Sequence, residues 1–220
     1  MGKTRFDFSG QVVAITGAGK GIGKGAAIAF AEAGARVFAI DHTPVTGETT
    51  VKAIRDAGGQ AAFIACDVSD AGSVSAAFQR IERDAGRLDV LVKSAGGFSK
   101  QMATDETPED EWDRVIDVNL KGVFLCAQAA IPLFKRQRSG RIVNLGSMAG
   151  LTTMAPETTA SERVVALRSP EQRDAIGKAT LVGRIAEVSD MVGWVLFLAA
   201  PEASYLTGQT LAVNGGRLMV

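Results

Sequence analysis

The sequence predicts an α/β fold in which helices cover both faces of a doubly wound parallel sheet. Strand-like and helical patterns alternate through the first 146 residues, as in a parallel sheet with crossover helices. The strand-like runs are apolar without polar alternation, as expected for strands buried on both faces. The 220 residues contain no repeat, linker or composition shift, so one domain over residues 1–220 is expected.

The predicted strands are short runs rich in β-branched and other apolar residues. Five fall within the first 146 residues: Val12–Thr16, Arg36–Asp41, Ala61–Cys66, Leu88–Val92 and Arg141–Leu145. The stretch from Met148 to Gly183 predicts no strand. A last strand is predicted at Gln209–Val213, just before Asn214-Gly215-Gly216.

Helical spacing of apolar residues predicts the elements between these strands. The first two helices are expected at Gly21–Ala33 and Glu48–Ala57, and Asp70 is expected to cap a third. A long helix should open at Thr107-Pro108, with threonine as the cap and proline at the first helical position. Later helices are predicted to start at Pro170 and to span Asp190–Ala199.

Composition excludes several classes of function. Lys+Arg and Asp+Glu both number 24, and a chain with zero net charge lacks the positive patch that nucleic acid requires. The sequence contains no run of about 18 apolar residues, which a membrane span would need. The N-terminus lacks the apolar core of a signal peptide, so a cytoplasmic protein is expected. Cys66 and Cys126 are expected to be buried free thiols. With His42 as the single histidine, we predict neither a metal site nor a hydrolytic triad at Ser147.

A glycine-rich turn joins the first predicted strand to the first predicted helix. Its spacing from Thr16 to Gly23 is G-x-x-x-G-x-G, not the strict G-x-G-x-x-G. Glycines let the backbone approach a pyrophosphate, and the helix N-terminus supplies N–H donors. Although glycines also serve ordinary turns, the strand–turn–helix context favours a Rossmann-like dinucleotide site. The candidate cofactor-binding residues of the turn are Gly17, Gly19, Lys20, Gly21, Ile22 and Gly23.

Acidic residues follow the second and third predicted strands. Asp41, 24 residues after Gly17, can accept hydrogen bonds from both ribose hydroxyls and would repel a 2′-phosphate, which predicts NAD as the cofactor. Lys20 in the turn could favour a 2′-phosphate, so NADP stays possible. Asp67-Val68 is predicted either to contact adenine or to cap a helix.

These motifs resemble those of the short-chain dehydrogenase/reductase family, and the resemblance covers nearly the whole chain. The glycine-rich turn matches the family pattern T-G-x-x-x-G-x-G, and Asp67-Val68 matches its D-V pair. Lys93-Ser94-Ala95-Gly96 stands where the family often has N-N-A-G, which makes Ser94, Ala95 and Gly96 candidate cofactor contacts. Tyr205–Gly216 resembles the C-terminal signature. The similarity is closest to bacterial members resembling 3-oxoacyl-carrier-protein reductase.

The resemblance also implies catalytic residues and a reaction. Asn119 matches the catalytic asparagine and Ser147 matches the catalytic serine. The implied activity is an NAD(P)-dependent oxidoreductase, in which hydride transfer interconverts a secondary alcohol and a ketone. Thr158 falls where family members contact the nicotinamide carboxamide. A homodimer or homotetramer is the implied assembly.

The sequence departs from the family at its proton donor. The Tyr-x-x-x-Lys pair expected about a dozen residues after Ser147 is absent, and the single tyrosine, Tyr205, belongs to the C-terminal signature. Lys178 is the single lysine after Ser147. The interval between Ser147 and Gly208, 61 residues, is shorter than the family pattern requires. A strand and a helix are therefore expected to be missing after residue 154.

Two accounts of this gap remain open. In the first, the molecule has further residues at the junction that the 220-residue sequence omits. In the second, the deletion is real and the product is at best a dinucleotide binder. The intact Asn119, Ser147 and C-terminal signature favour the first account. An oxidoreductase and a catalytically inactive dinucleotide-binding protein are the corresponding functional hypotheses.

Overall fold

The computed structural model describes residues 6–97, 103–150 and 159–218. Its centre is a five-stranded parallel sheet with the order β3-β2-β1-β4-β5. The strands are β1 (Val12–Thr16), β2 (Arg36–Asp41), β3 (Gln60–Ala65), β4 (Val90–Lys93) and β5 (Arg141–Asn144). The order reverses beside β1, as in a doubly wound sheet. The predicted α/β, Rossmann-like fold is confirmed.

Helices connect the strands and cover both faces of the sheet. A five-residue π-helical turn, Asp117–Lys121, joins two of them into one continuous rod. The helices are α1 (Gly21–Glu32), α2 (Pro44–Asp56), α3 (Ala71–Ala85), α4 (Glu109–Ile116), α5 (Gly122–Gln137), α6 (Glu162–Leu167), α7 (Pro170–Lys178) and α8 (Val188–Ala199).

The apolar core lies in two layers, one on each face of the sheet. One layer joins β1 to α1 and α8, and in it the ring of Phe30 meets Phe8 edge-to-face with centroids 4.7 Å apart. The other joins the sheet to α3 and α5 through residues such as Phe78 and Leu133. Both layers are needed because the central strands are buried on both sides.

Most of the predicted helix boundaries agree with the structure to within two residues, and α8 begins at Val188 instead of Asp190. The start of the second helix and the cap of the long helix differ from the prediction. Asp70 caps α3 as predicted, since its Oδ1 accepts the Ser73 N–H at 2.6 Å. The second helix begins earlier than predicted, at Pro44, whose fixed φ suits the first turn. The prediction that Thr107 caps the long helix is wrong: Pro108 is the N-cap residue and no side chain caps this end.

The predicted last strand does not form. Gln209–Val213 has no strand pairing, and its residues are exposed or partly exposed. The sheet ends at β5, which pairs with β4 alone, so Ile142 is 37% exposed. A strand needs a neighbour for its backbone N–H and C=O groups, and the expected intervening strand is absent from the described residues.

The continuous helical segment Glu109–Gln137 is, by length and composition alone, long and apolar enough to cross a membrane. The sequence prediction concerned an uninterrupted run of about 18 apolar residues, and this segment contains none, because Lys121 and Gln128 interrupt it. One such helix is weak support for a membrane protein, because a helix that covers a sheet meets the same criterion. Here Cys126, Ala130 and Leu133 are buried in the core layer that α5 shares with α3.

Candidate functional site

The glycine-rich turn lies against the loop that follows β4. Gly17 and Gly21 have φ values of +68° and +56°, which favour glycine because they lie in the left-handed region. A Cβ atom on Gly17 would lie 2.7 Å from the backbone nitrogen of Ala95. A Cβ on Gly23 would lie 2.2 Å from the Gly17 carbonyl oxygen. A side chain at Gly17 would push the turn away from the loop after β4, and one at Gly23 would collide with the backbone of the turn itself.

Thr16 fastens these two loops together. It is buried, and its Oγ1 accepts the backbone N–H groups of Ser94 and Ala95, each at 3.2 Å. The predicted cofactor residues Ser94 and Ala95 are thus adjacent to the glycine-rich turn. Thr16 opens the glycine motif but was not among the site residues predicted from the sequence.

Asp41 lies at the carboxyl end of β2 and reaches the glycine-rich turn. Its Oδ2 accepts the Gly19 N–H at 2.9 Å, and its Oδ1 accepts the Thr43 N–H at 2.9 Å. The Asp41 side chain is 10% exposed, whereas the His42 imidazole, 3.4 Å away through Nδ1, is 80% exposed. A Cβ on Gly19 would lie 2.9 Å from Asp41 Oδ2. The acid and the turn therefore form one cradle.

The remaining residues of the turn occupy the beginning of α1. Lys20 is exposed and precedes the helix without capping it through its side chain. Ile22 is partly buried and packs against the core layer of α1. The Gly21 N–H donates to the Glu162 carboxylate of α6 at 2.8 Å, a contact that the sequence did not predict.

Asp67 and Val68 follow β3 and serve the local structure. Asp67 Oδ1 accepts the Ser69 N–H at 2.9 Å and the Ser69 hydroxyl at 2.6 Å, and these hydrogen bonds lower the pKa of the Asp67 carboxyl. Val68 is buried against the start of α5, where a Cβ on Gly122 would lie 2.9 Å from Val68 Cγ2. The Asp67 carboxylate caps its own turn, while the cap of α3 is Asp70.

Asn119 lies in the π-helical turn between α4 and α5 and is hydrogen-bonded to the loop after β4. Its Oδ1 accepts the Gly97 N–H at 3.1 Å, and its Nδ2 donates to the Gly97 carbonyl at 2.8 Å and to the Val115 carbonyl at 2.9 Å. A Cβ on Gly96 would lie 3.1 Å from Asn119 Oδ1. Single-turn π-bulges occur frequently at functional sites.

Ser147 is exposed and lies three residues beyond the end of β5, where it opens a 3-10 turn. Because β4 and β5 are neighbouring parallel strands, Ser147 and the Asn119–Gly97 contact follow the same edge of the sheet. Tyr205 is fully exposed, and Lys178 Nζ pairs with Asp174 at 2.6 Å. Thr158 lies outside the described residues.

Lys93 ends β4 as a buried cation. It is 5% exposed, and its Nζ donates to the Val123 carbonyl of α5 at 3.0 Å. Burial lowers the pKa of Lys93, while burial raises that of the neighbouring Cys126 thiol to about 12. The lysine that replaces the family's asparagine thus joins β4 to the helix just after the π turn.

Two family models match the chain. A short chain dehydrogenase model matches residues 11–160, and an enoyl-(acyl carrier protein) reductase model matches residues 155–217. The two matches overlap at residues 155–160, next to the junction predicted after residue 154. Together they extend over nearly all of the sheet and helices described above.

Curated relatives match over nearly their whole lengths. A short-chain reductase protein of Streptomyces niveus, NovJ, is 36% identical, with 94% of each chain covered. The 3-oxoacyl-[acyl-carrier-protein] reductase of Staphylococcus aureus is 34% identical, with 93% of this chain and 97% of that protein covered. The first alignment extends over 246 positions, more than the 220 residues of this chain, so part of that relative has no counterpart here.

A solved structure has the same fold. A 7α-hydroxysteroid dehydrogenase complexed with NADH and 7-oxo glycochenodeoxycholic acid superposes with a TM-score of 0.89 at 27% identity, and 98% of both chains is covered. The family models, the relatives and this superposition agree with the glycine-rich turn and the doubly wound sheet. The chain therefore belongs to the short-chain dehydrogenase/reductase family.

Proposed function

We propose that this chain is a nicotinamide-dinucleotide-dependent oxidoreductase that interconverts a secondary alcohol and a ketone. The observation that carries the proposal is the hydrogen bond between the Gly19 N–H and Asp41 Oδ2. It joins a glycine turn suited to a pyrophosphate to a carboxylate suited to a ribose, within one cradle. Close backbone approach at Gly17 supports the same assignment, because a Cβ there would collide with the end of β4.

The environment of Asp41 supports NAD over NADP. A carboxylate has about four lone-pair positions, and two are used by the backbone N–H groups of Gly19 and Thr43. The remaining positions are available to accept two ribose hydroxyls. A 2′-phosphate would bring a second anion against this largely buried carboxylate. Lys20 is exposed and forms no capping bond, so it offers a 2′-phosphate only a solvated cation.

The site residues have distinct proposed roles. Ser94, Ala95 and Gly96 form the wall of the cradle opposite the glycine-rich turn, where Thr16 fixes two of their N–H groups. The bound dinucleotide supplies or accepts the hydride. Ser147 is proposed to donate its hydroxyl hydrogen to the carbonyl oxygen of the substrate. Asn119 positions the loop at Gly97 through its reciprocal amide bonds.

The chain lacks the tyrosine and lysine that move the proton in the family pattern. Tyr205 is fully exposed in the C-terminal segment, and Lys178 is already paired with Asp174. General acid–base catalysis typically contributes about 10²- to 10⁴-fold to a rate. We therefore expect hydride exchange slower by about that factor than in a complete family member.

This deficiency favours a second candidate function, a catalytically inactive dinucleotide-binding protein. Two measurements separate the candidates. Isothermal titration calorimetry with NADH and NADPH tests binding, and loss of NADH absorbance with a panel of ketones tests turnover. Binding with turnover supports the oxidoreductase, and binding without turnover supports the second candidate. Absence of binding to either dinucleotide contradicts both.

The cofactor preference has its own test. Asp41→Asn keeps an oxygen that can accept the Gly19 N–H but removes the negative charge. We expect wild-type protein to bind NADH more tightly than NADPH, and the variant to lose most of that difference. The matched control is Asp105→Asn, a surface acid in the 3-10 turn Thr104–Glu106. Tighter NADPH binding by the wild type would contradict the NAD assignment.

Assembly as a homodimer or homotetramer belongs to the same proposal. The outer side of α4, the π turn and α5 exposes large apolar side chains: Trp112 is 62% exposed, Leu120 64% and Phe124 59%. Burial of such side chains between copies would remove apolar surface from water. Light scattering coupled to size-exclusion chromatography gives the mass directly, and a monomer at micromolar concentration would contradict the proposal.

A further inference from the structure

A carboxylate of this chain binds the N-terminus of α1. Glu162, the first residue of α6, accepts the Gly21 N–H through Oε2 at 2.8 Å. Its other oxygen, Oε1, lies 4.0 Å from the Lys24 ammonium. The two helices are 141 residues apart in the sequence at this contact, so the fold alone brings them together.

This contact uses the donor that an anionic ligand of the glycine-rich turn would use. The first N–H groups of a helix have no intrahelical partner and carry a partial positive charge. Lys20 supplies no side-chain cap to α1, so the Gly21 N–H takes its acceptor from outside the helix. A pyrophosphate and the Glu162 carboxylate cannot both take the Gly21 N–H, and their negative charges repel each other.

Most of the described side chains of α6 are exposed. The helix has six residues, and Val165 and Leu167 on it are 45% and 58% exposed. Val164 is its buried apolar anchor, at 7% exposed. Just before α6, a single bridge joins Thr159 to Ala186, with the Ala160 N–H donating to the Ala186 carbonyl at 2.7 Å. A short helix whose described side chains are mostly exposed can be displaced at small cost.

We infer that Glu162 is an internal ligand of the glycine-rich turn that competes with the dinucleotide. The inference rests on the proposed function, because the competitor is the pyrophosphate of the cofactor. In the free protein the carboxylate occupies the Gly21 N–H, and α6 moves away when the dinucleotide binds. The apparent association constant for the dinucleotide equals the intrinsic constant multiplied by the fraction of molecules in which Glu162 has released the Gly21 N–H.

A graded pair of variants tests the competition. Glu162→Gln removes the charge but keeps an acceptor oxygen, and Glu162→Ala removes both. Loss of one solvent-exposed, charge-assisted hydrogen bond from the competing state should tighten NADH binding about three- to tenfold in the alanine variant. The glutamine variant should lie between it and the wild type. The control is Glu109→Gln, an exposed acid in the first turn of α4, which should bind as the wild type does.

A second readout does not depend on activity. Amide hydrogen exchange at Gly21, measured without ligand, should be faster in Glu162→Ala than in the wild type. Titration with inorganic pyrophosphate should show the same order of affinities as NADH. If wild-type protein binds NADH, and Glu162→Gln and Glu162→Ala bind it equally or more weakly, the internal-ligand inference is overturned and the proposed function stands. If none of the proteins binds NADH, both are overturned.

Discussion

Gly17→Ala tests whether close approach of two loops builds the cradle. Two costs follow from the structure. The φ of +68° puts an alanine in the left-handed region, at about 1–2 kcal/mol. The new Cβ would also lie 2.7 Å from the Ala95 nitrogen, so the backbone of the turn or of the loop after β4 must move. Such overpacking costs about 1–3 kcal/mol. Together these predict a loss of about 2–5 kcal/mol in the free energy of unfolding.

Gly58→Ala separates the two costs. Gly58 has a φ of +84°, but a Cβ there would have no atom within 4 Å. It should therefore lose only the left-handed term, about 1–2 kcal/mol. Urea unfolding measures both variants, and calorimetry measures NADH binding. We expect Gly17→Ala to be the less stable by about 1–3 kcal/mol and to bind NADH at least about tenfold more weakly.

Equal behaviour of the Gly17 and Gly58 variants would contradict the role given to the Gly17 contact. If the two alanine variants lose the same stability and both retain wild-type affinity for NADH, the contact between Gly17 and Ala95 has no energetic role. In that case the turn would be an ordinary turn whose glycine serves only its φ angle. Equal stability with weaker NADH binding in Gly17→Ala alone would instead limit the close approach to ligand binding.

Three further predictions concern charged side chains. Asp41→Ala removes the acceptor of two backbone N–H groups, so urea unfolding should show a loss of about 2–4 kcal/mol. Lys93→Met should equal or exceed the wild type in stability at neutral pH. Burial lowers the pKa of this lysine in the folded state, so the wild type should gain stability as pH rises toward the ordinary value of 10.5, and the variant should lack that rise. Asp190 has its pKa lowered to about 2 by its two hydrogen bonds to Arg184 and by a backbone hydrogen bond. The resulting contribution to stability is under about 1 kcal/mol because the pair is partly exposed. It should be lost as pH falls from about 4 to about 2. Thermal unfolding of Asp190→Asn should not show this acid-dependent loss.

Local sequence signals were sufficient for the sheet and the turn. The strand Val12–Thr16 is apolar throughout because both of its faces are covered, and this pattern is visible without any partner. The glycines at 17 and 21 mark positive φ values, which the residue type itself makes possible. Asp70 precedes α3 at the spacing of a side-chain cap. Each of these features depends on residues that are neighbours in the sequence.

Contacts between distant segments could not be predicted in this way. Thr16 fixes Ser94 and Ala95 across 78 and 79 positions, and Glu162 reaches Gly21 across 141. Nothing in the local pattern around Glu162 indicates a partner in α1. Such pairs depend on how strands and helices are arranged in space. The residues of the cradle were therefore predicted from the sequence, but Thr16, which holds it together, and Glu162, which occupies it, were not.

One missing segment accounts both for the wrong prediction of a last strand and for the absent proton donor. Gln209–Val213 has a strand-like composition, but a strand is a property of a pair, and β5 offers no sixth strand beside it in the described residues. In the family pattern, that intervening strand and the Tyr/Lys helix belong to one segment. A chain without the segment therefore keeps the cradle, which is built from β1, β2 and β4, because those strands lie on the far side of β5 from the gap. It loses the proton donor and the pairing of its C-terminal strand together. Dinucleotide binding should therefore survive, while hydride exchange should be slower by about 10²- to 10⁴-fold.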